Sequence, residues 1–156
     1  MAKENQVEHK LQPFKYEKPE IDQVRGKSFA KGLPNTDTLA IMIQAVQLGG
    51  ENNLHSHPGF DSVFFVLSGR ARFYGDAETV ACELGQHEGV LIPAGEPYWF
   101  ESAGEEHLEI MHIKGYVPGA EDVRVNYAPA LPHQDDSQFT GKGAVNVWEQ
   151  QEKPRS

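Results

Sequence analysis

The stretch LHSHPGFDSVFFVLSG, residues 54–69, places two histidines one residue apart, an acidic residue four positions later, and then an apolar run closed by glycine. Residues i and i+2 of a strand point to the same face, so His55 and His57 aim their imidazoles at one point. Two neutral imidazoles with Asp61 nearby suit a divalent transition metal. The stretch therefore predicts a candidate metal site that leads into a strand.

Short apolar segments recur along the rest of the chain, with turn residues between them. At least seven of them read as strands, which predicts a sandwich or a small barrel. A hairpin is expected at Ser68–Gly69, and residues 144–148 are expected to add an edge strand. The other predicted strands are 38–48, 62–69, 70–76, 78–84, 90–95, 97–102 and 107–115.

The 156 residues fit one domain with a sizeable core. Residues 1–37 are polar and lack periodicity, so they are expected to form an N-terminal arm. Residues 38–115 hold the predicted barrel strands, and residues 116–156 turn polar and proline-containing, as a C-terminal extension would.

Charge and cysteine content exclude several classes of protein. The net charge is −9, and residues 38–112 carry two basic against eleven acidic side chains. This acidic middle argues against nucleic acid as a partner and is compatible with a cation site. Cys82 is the only cysteine, so neither a disulfide framework nor a cysteine-based zinc site is expected. No apolar run is long enough for a membrane span, so we expect a cytoplasmic protein.

Two motifs resemble those of the cupin superfamily. Gly49, His55, His57, Asp61 and Gly69 resemble its first motif, G-x5-H-x-H-x3,4-E-x6-G. HEGVLIPAGEPYWFES, residues 87–102, echoes the second motif, G-x5-P-x-G-x2-H-x3-N, at Pro93 and Gly95. The resemblance covers about residues 38–114 and implies an all-β double-stranded β-helix, the jelly-roll barrel of compact RmlC-like cupins. It also implies a homodimer.

The chain departs from the motifs at several family ligand positions. Counted from His57, the family glutamate falls near Asp61, whereas counted from Gly69 it falls at Ser62. The third family histidine is replaced by Tyr98. The resemblance thus implies a divalent metal ion, Fe, Mn, Ni or Zn. The residues implied as its ligands are His55, His57, Asp61 and Tyr98.

Two classes of function follow from this set. Two histidines and one carboxylate leave open positions on a metal, as in dioxygenases, so the leading expectation is a metal-dependent dioxygenase acting on a small metabolite. Tyr98 and Asp61 would be its catalytic residues. The alternatives are an isomerase or lyase that uses Tyr98 or a histidine as acid and base, or a metal-free cupin that only binds a small ligand.

Four further side chains are candidates for a substrate pocket. Strand alternation in HLEIMHIKG, residues 107–115, turns His112 into the barrel, either as an additional ligand or hydrogen-bonded at the edge of the core. Phe64 and Phe100 belong to the aromatic inventory of a small-molecule pocket. The guanidinium of Arg72 is a candidate fork for a substrate carboxylate.

Overall fold

The computed structural model describes residues 10–76, 79–140 and 143–148. A short 3-10 helix spans Asp136–Gln138. The strands are β1 (Lys27–Phe29), β2 (Leu39–Val46), β3 (His55–Ser56), β4 (Phe60–Ser68), β5 (Ala71–Tyr74), β6 (Val80–Leu84), β7 (Gly89–Ile92), β8 (Trp99–Ser102), β9 (Leu108–Tyr116), β10 (Arg124–Asn126) and β11 (Ala144–Asn146).

The strands form one large sheet and two small ones. The large sheet has the order β1-β2-β9-β4-β7, and the small sheets have the orders β11-β10-β3 and β6-β5-β8. Two backbone hydrogen bonds join the small sheets: His55 N donates to Tyr98 O at 3.1 Å, and Tyr98 N donates to His55 O at 2.9 Å. The result is the all-β double-stranded β-helix that the sequence predicted.

Strand alternation divides the inside of the barrel from the outside. Along β4, Phe60, Ser62 and Phe64 are buried, whereas Asp61 and Val63 are exposed. Along β9, Leu108, Ile110 and His112 are buried and the residues between them are less so. The inward orientation expected for His112 is therefore confirmed.

Apolar packing fills one end of the barrel. Phe64 is 1% exposed and packs against Phe73 and Phe100, with ring centroids 5.3 Å away in both cases. Burial of one such side chain stabilises the fold by about 1.5–3 kcal/mol. The same strands carry polar residues at their other ends, as in Leu108 and Ile110 followed by His112 on β9. That polar end of the barrel contains the cavity described below.

The predicted hairpin at Ser68–Gly69 is wrong. Strand β4 pairs with β7 and β9, and β5 pairs with β6 and β8, so the two strands lie in different sheets. The chain crosses between the sheets at Gly69, whose φ is 84°. A Cβ atom at this position would lie 2.7 Å from the carbonyl oxygen of His107, so the crossing requires glycine.

Both terminal segments contribute strands. Strand β1 pairs antiparallel with β2, and β10 pairs with β3 and with β11. The predicted strand in residues 144–148 is confirmed as β11, at the edge of its sheet. Within the three described ranges, no helix has the length and apolar character needed to cross a bilayer.

Candidate functional site

A cavity of about 320 Å³ occupies the polar end of the barrel. Its walls come from the inner face of the large sheet, from β3 and β8, and from β10 with the segment that follows it. Among the described residues that line it there is no carboxylate. Its ionisable side chains are Lys27, His55, His57, Tyr98, His112, Lys114 and Arg124.

His55 lies on the short strand β3 and is 1% exposed. Its Nδ1 is 2.7 Å from the carbonyl oxygen of Asn53. Because a carbonyl oxygen can only accept, Nδ1 carries the proton and Nε2 is the unprotonated nitrogen. Burial lowers the pKa of His55 well below its usual value. His55 is thus a neutral imidazole of fixed orientation.

His57 follows β3 and stacks on Phe60, with ring centroids 4.5 Å apart. Its pKa is lowered to about 3, first by burial and then by the positive charges of Arg124 and Lys114. Within the described part of the chain, neither ring nitrogen of His57 makes a hydrogen bond. At neutral pH it is an unprotonated base in the wall of the cavity.

Tyr98, at the position of the third family histidine, is 5% exposed. Its ring centroid lies 4.6 Å from that of His55 and 6.4 Å from that of His57. Burial raises the pKa of Tyr98, although Arg124 lowers it in part, so the phenol keeps its proton at neutral pH. No described residue hydrogen-bonds to the phenol oxygen.

His112 and Ser62 form a pair on neighbouring strands of the large sheet. The Nε2 of His112 lies 2.8 Å from the Oγ of Ser62, and its ring stacks on Phe64 at 4.0 Å. His112 is therefore hydrogen-bonded at the edge of the core and also lines the cavity. The inward position of β4 that the cupin motif gives to a glutamate is filled by Ser62, which is 2% exposed.

Asp61 does not reach this site. It alternates with the buried residues Phe60 and Ser62, so its side chain lies on the outer face of β4. Its Oδ1 accepts the N–H of Ala94 at 2.8 Å. The structure therefore removes Asp61 from the candidate metal ligands and from the candidate catalytic residues, which corrects the expectation from the sequence.

Three of the four predicted pocket residues line the cavity: Phe64, Phe100 and His112. Arg72 does not. It lies on β5, where its Nε donates to Glu83 at 2.6 Å and its Nη1 donates to Glu101 at 3.2 Å. These carboxylates hold the guanidinium outside the cavity, so the expected fork for a substrate carboxylate is corrected too.

Three cations of the cavity were missed from the sequence: Lys27, Lys114 and Arg124. Lys114 follows His112 by two positions on β9, so strand alternation extended by one step would have found it. Lys27 and Arg124 lie on the three-residue strands β1 and β10. Three residues are too few for a periodic signal, so the sequence offered none.

A cluster of amide side chains holds Arg124 in place. Arg124 Nε donates to Asn126 Oδ1 at 2.9 Å, and its Nη2 donates to Asn53 Oδ1 at 2.6 Å. Asn53 and Asn126 are 4% and 0% exposed, and Asn126 Nδ2 donates to Asn146 Oδ1 at 3.0 Å. These three asparagines, together with Gln134, which donates to Asn53 at 3.1 Å, are called the amide cluster below.

The donor set does not fit a divalent metal ion. His55 and His57 offer imidazole nitrogens, but the Nε2 of His112 is hydrogen-bonded to Ser62 and no carboxylate of the described lining is available. Among the described residues, no three histidine, cysteine or acidic side chains are grouped to hold a metal. The cations Lys114 and Arg124 also oppose a second positive charge in the same space.

Residues 42–114 match the family model described as cupin domain. An RmlC-like cupin protein from Desulfovibrio desulfuricans has 18% identity and a TM-score of 0.57, with 69% of this chain and 97% of that chain covered. A conserved protein of unknown function from Streptococcus pyogenes has 22% identity and a TM-score of 0.53, covering 64% and 82%. The polyketide cyclase RemF from Streptomyces resistomycificus has 20% identity and a TM-score of 0.51, covering 63% and 75%.

The two motifs and the barrel agree with the match of residues 42–114 to the family model of a cupin domain. At these identities the likeness to solved structures shows the fold alone. Comparison with curated proteins finds no significant match to the sequence.

Proposed function

We propose that the chain is a metal-independent cupin enzyme that performs acid–base chemistry, of the isomerase or lyase type, on a small molecule in the barrel cavity. The observation that carries the proposal is the pairing of His57 and Tyr98. One is an unprotonated base and the other a protonated phenol, and their rings line one cavity with centroids 6.4 Å apart.

In the proposed reaction, His57 removes a proton from a carbon next to a carbonyl group of the substrate. The electron pair of the broken C–H bond forms a carbon–carbon double bond while the π pair of the carbonyl group moves onto its oxygen, and the Tyr98 hydroxyl donates a hydrogen bond to the oxyanion that develops. Return of the proton to a different carbon completes an isomerisation. Expulsion of a leaving group from the next carbon completes an elimination.

The strength of His57 as a base depends on what occupies the cavity. Arg124 and Lys114 help to hold its pKa near 3 in the absence of a ligand. A bound anion offsets those charges and raises the pKa of His57 towards neutrality, where proton abstraction is efficient. Phe64 and Phe100 supply apolar walls that limit water around the reacting atoms.

A metal-dependent dioxygenase, the leading expectation from the sequence, has less support because Asp61 lies outside the cavity and no other described carboxylate lines it. A cupin that only binds its ligand requires neither His57 nor Tyr98 to move a proton. The experiment below separates these alternatives. A cytoplasmic location and a homodimer stay predictions from the sequence.

The test is hydrogen exchange at carbon. The full chain is incubated in D2O with a panel of small 2-oxo and 3-oxo acids, and loss of the α-proton signal is followed by proton NMR. We expect catalysed exchange with at least one compound and a loss of at least a hundredfold in His57→Asn, because the base is removed. Tyr98→Phe should slow exchange at least tenfold, because the oxyanion loses its donor.

His133→Asn is the matched control, because His133 lies outside the cavity and its Nε2 contacts the carbonyl oxygen of Glu51. Exchange should survive EDTA and should not require bound metal, as measured by elemental analysis after reconstitution with Fe, Mn, Ni and Zn. Stoichiometric metal whose removal abolishes exchange would overturn the metal-independent mechanism. Absence of exchange with every compound of the panel would contradict the proposed enzyme and favour a protein that only binds its ligand.

A further inference from the structure

The cavity has a wall of three cations, each from a different strand. Lys27 comes from β1, Lys114 from β9 and Arg124 from β10, and all three line the cavity. The positive charge of Arg124 contributes to the lowered pKa of both lysines. The three are called the cationic cluster below.

The cationic cluster is not neutralised by the protein. No described carboxylate forms an ion pair with any of the three side chains. Asp135 and Asp122 act on Lys27 and Lys114 only at longer range, and burial has the larger effect on both lysines. The pKa of Lys27 falls to about 8 and that of Arg124 to about 10.

Arg124 is fixed without losing its charge. Its two hydrogen bonds to the chain go to the amide oxygens of Asn126 and Asn53, which are neutral. The contrast within the same chain is Arg72, whose guanidinium is bound to the carboxylates of Glu83 and Glu101. A structural arginine is neutralised in that way, whereas Arg124 keeps an oriented positive charge beside the cavity.

Buried charges of one sign destabilise a cavity unless a counter-charge enters it. A ligand with one negative charge would leave two members of the cationic cluster without a partner. The space of about 320 Å³ corresponds to roughly ten water molecules in the liquid, which limits the ligand to a small molecule.

We propose that the cationic cluster selects a small ligand with two negative charges, a phosphate monoester or a dicarboxylate. This inference rests on the proposed function, since it names the charge of the molecule on which His57 and Tyr98 act, but its test measures binding alone. Arg124 offers a planar fork for one anionic group, and the two lysines act as point charges on the other oxygens.

Most of the residues that would give this selectivity lie outside the segment that matches the cupin domain. Lys27 and Arg124 lie outside residues 42–114, the segment that matches the cupin domain, and Lys114 is its last residue. The two terminal segments therefore supply most of the charge.

Isothermal titration calorimetry of the full chain tests the proposal with inorganic phosphate, succinate and acetate at constant ionic strength and pH 7.5. We expect phosphate or succinate to bind at least tenfold more tightly than acetate, and the comparison of the two dianions tells which anionic group is preferred. Arg124→Gln should weaken dianion binding at least tenfold. Arg72→Gln, which removes the same charge outside the cavity, should leave binding within twofold.

Because Arg124→Gln also disturbs the amide cluster, Lys114→Met provides a second test from a different strand and should weaken binding at least fivefold. Equal affinity for acetate and the dianions would overturn the proposal, as would dianion binding that survives both substitutions. The two proposals fail separately, because calorimetry does not depend on exchange: dianion binding without carbon-proton exchange would contradict the proposed reaction alone, and exchange without selectivity for dianions would contradict this inference alone.

Discussion

Two side chains change the chemistry of this cavity relative to the cupin motifs that the chain resembles. Ser62 stands inward where the motif has a glutamate, and Tyr98 stands where it has a histidine. The first replacement removes a negative charge and the second removes an imidazole donor. Each leaves a neutral hydrogen-bonding group, so the cations that line the cavity face no opposing charge from the described lining.

A third departure, His87, has a conformational consequence that can be measured. It occupies the glycine position that opens the second motif, and its φ is 67°, in the left-handed region that glycine adopts without steric cost. We expect His87→Gly to be more stable than His87→Ala by about 1 kcal/mol, as measured by urea unfolding. Both variants lose the imidazole of this exposed residue, so the difference reports the backbone. Equal stability of the two variants would contradict the assignment of strain to this position.

At the scale of strands, the sequence predicted the long strands and the three-residue β11 but missed the equally short strands β1 and β10. Strands β4 and β9 have nine residues each and were both foreseen. The inward face was foreseen only for β9, through His112, whereas on β4 the expected inward residue Asp61 faces outward. Strands β1 and β10 have three residues and were not foreseen. The hairpin at Gly69 failed for a different reason: a glycine between two strands marks a reversal or a crossing equally well.

The attachment of β10 depends on the amide cluster, and Asn126 is its most buried member. Asn126→Ala removes the acceptor of Arg124 and Asn53 and the donor to Gln138 and Asn146. Because buried partners are left unsatisfied, we expect a loss of at least about 2 kcal/mol in the free energy of unfolding. Amide exchange, followed by mass spectrometry, should accelerate in peptides that cover residues 124–126 and 144–146.

The exposed Asn35 supplies the control for that measurement, since Asn35→Ala removes the same kind of amide from a residue that does not belong to the cluster. Unchanged exchange over residues 124–126 in Asn126→Ala would show that β10 is held by other contacts.

At the scale of the whole molecule, the amino-acid composition gave a wrong indication of the charge that lines the cavity. The excess of acidic residues in 38–112 was compatible with a cation site, yet none of those acids in the described ranges lines the cavity. The fold and the positions of His55, His57 and Tyr98 followed from motif spacing. The charge of the cavity did not, because it depends on which side chains long-range strand pairing brings inward.

The buried charge of Lys27 predicts a specific pH dependence of global stability. Its folded pKa of about 8 lies below the ordinary value of 10.5, mainly through burial and then through Arg124 and Arg25, with Asp135 opposing. Between these two pH values the unfolded chain binds more protons than the folded chain, so the contribution of Lys27 to stability rises with pH. Below about pH 8 the cost of burying the charged lysine is fully present.

Lys27→Met removes that cost. The variant should be more stable than the wild type by roughly 2–4 kcal/mol at pH 7, and the difference should shrink as the pH approaches 10. Urea unfolding at several pH values measures it, with the exposed Lys31→Met as the reference. A stability difference that does not vary with pH would refute the assignment.

Two of the three members of the cationic cluster, Lys27 and Arg124, come from β1 and β10, and this bears on how such a protein diversifies. The stretches of chain that build the barrel core and those that supply most of the charge are separate. Exchange of the segment that carries β1 or of the segment that carries β10 can therefore leave the packing of Phe64, Phe73 and their neighbours in place. A descendant with an uncharged or acidic segment in that place keeps the same barrel but prefers ligands of a different charge. Ligand specificity and the ability to fold can therefore evolve independently.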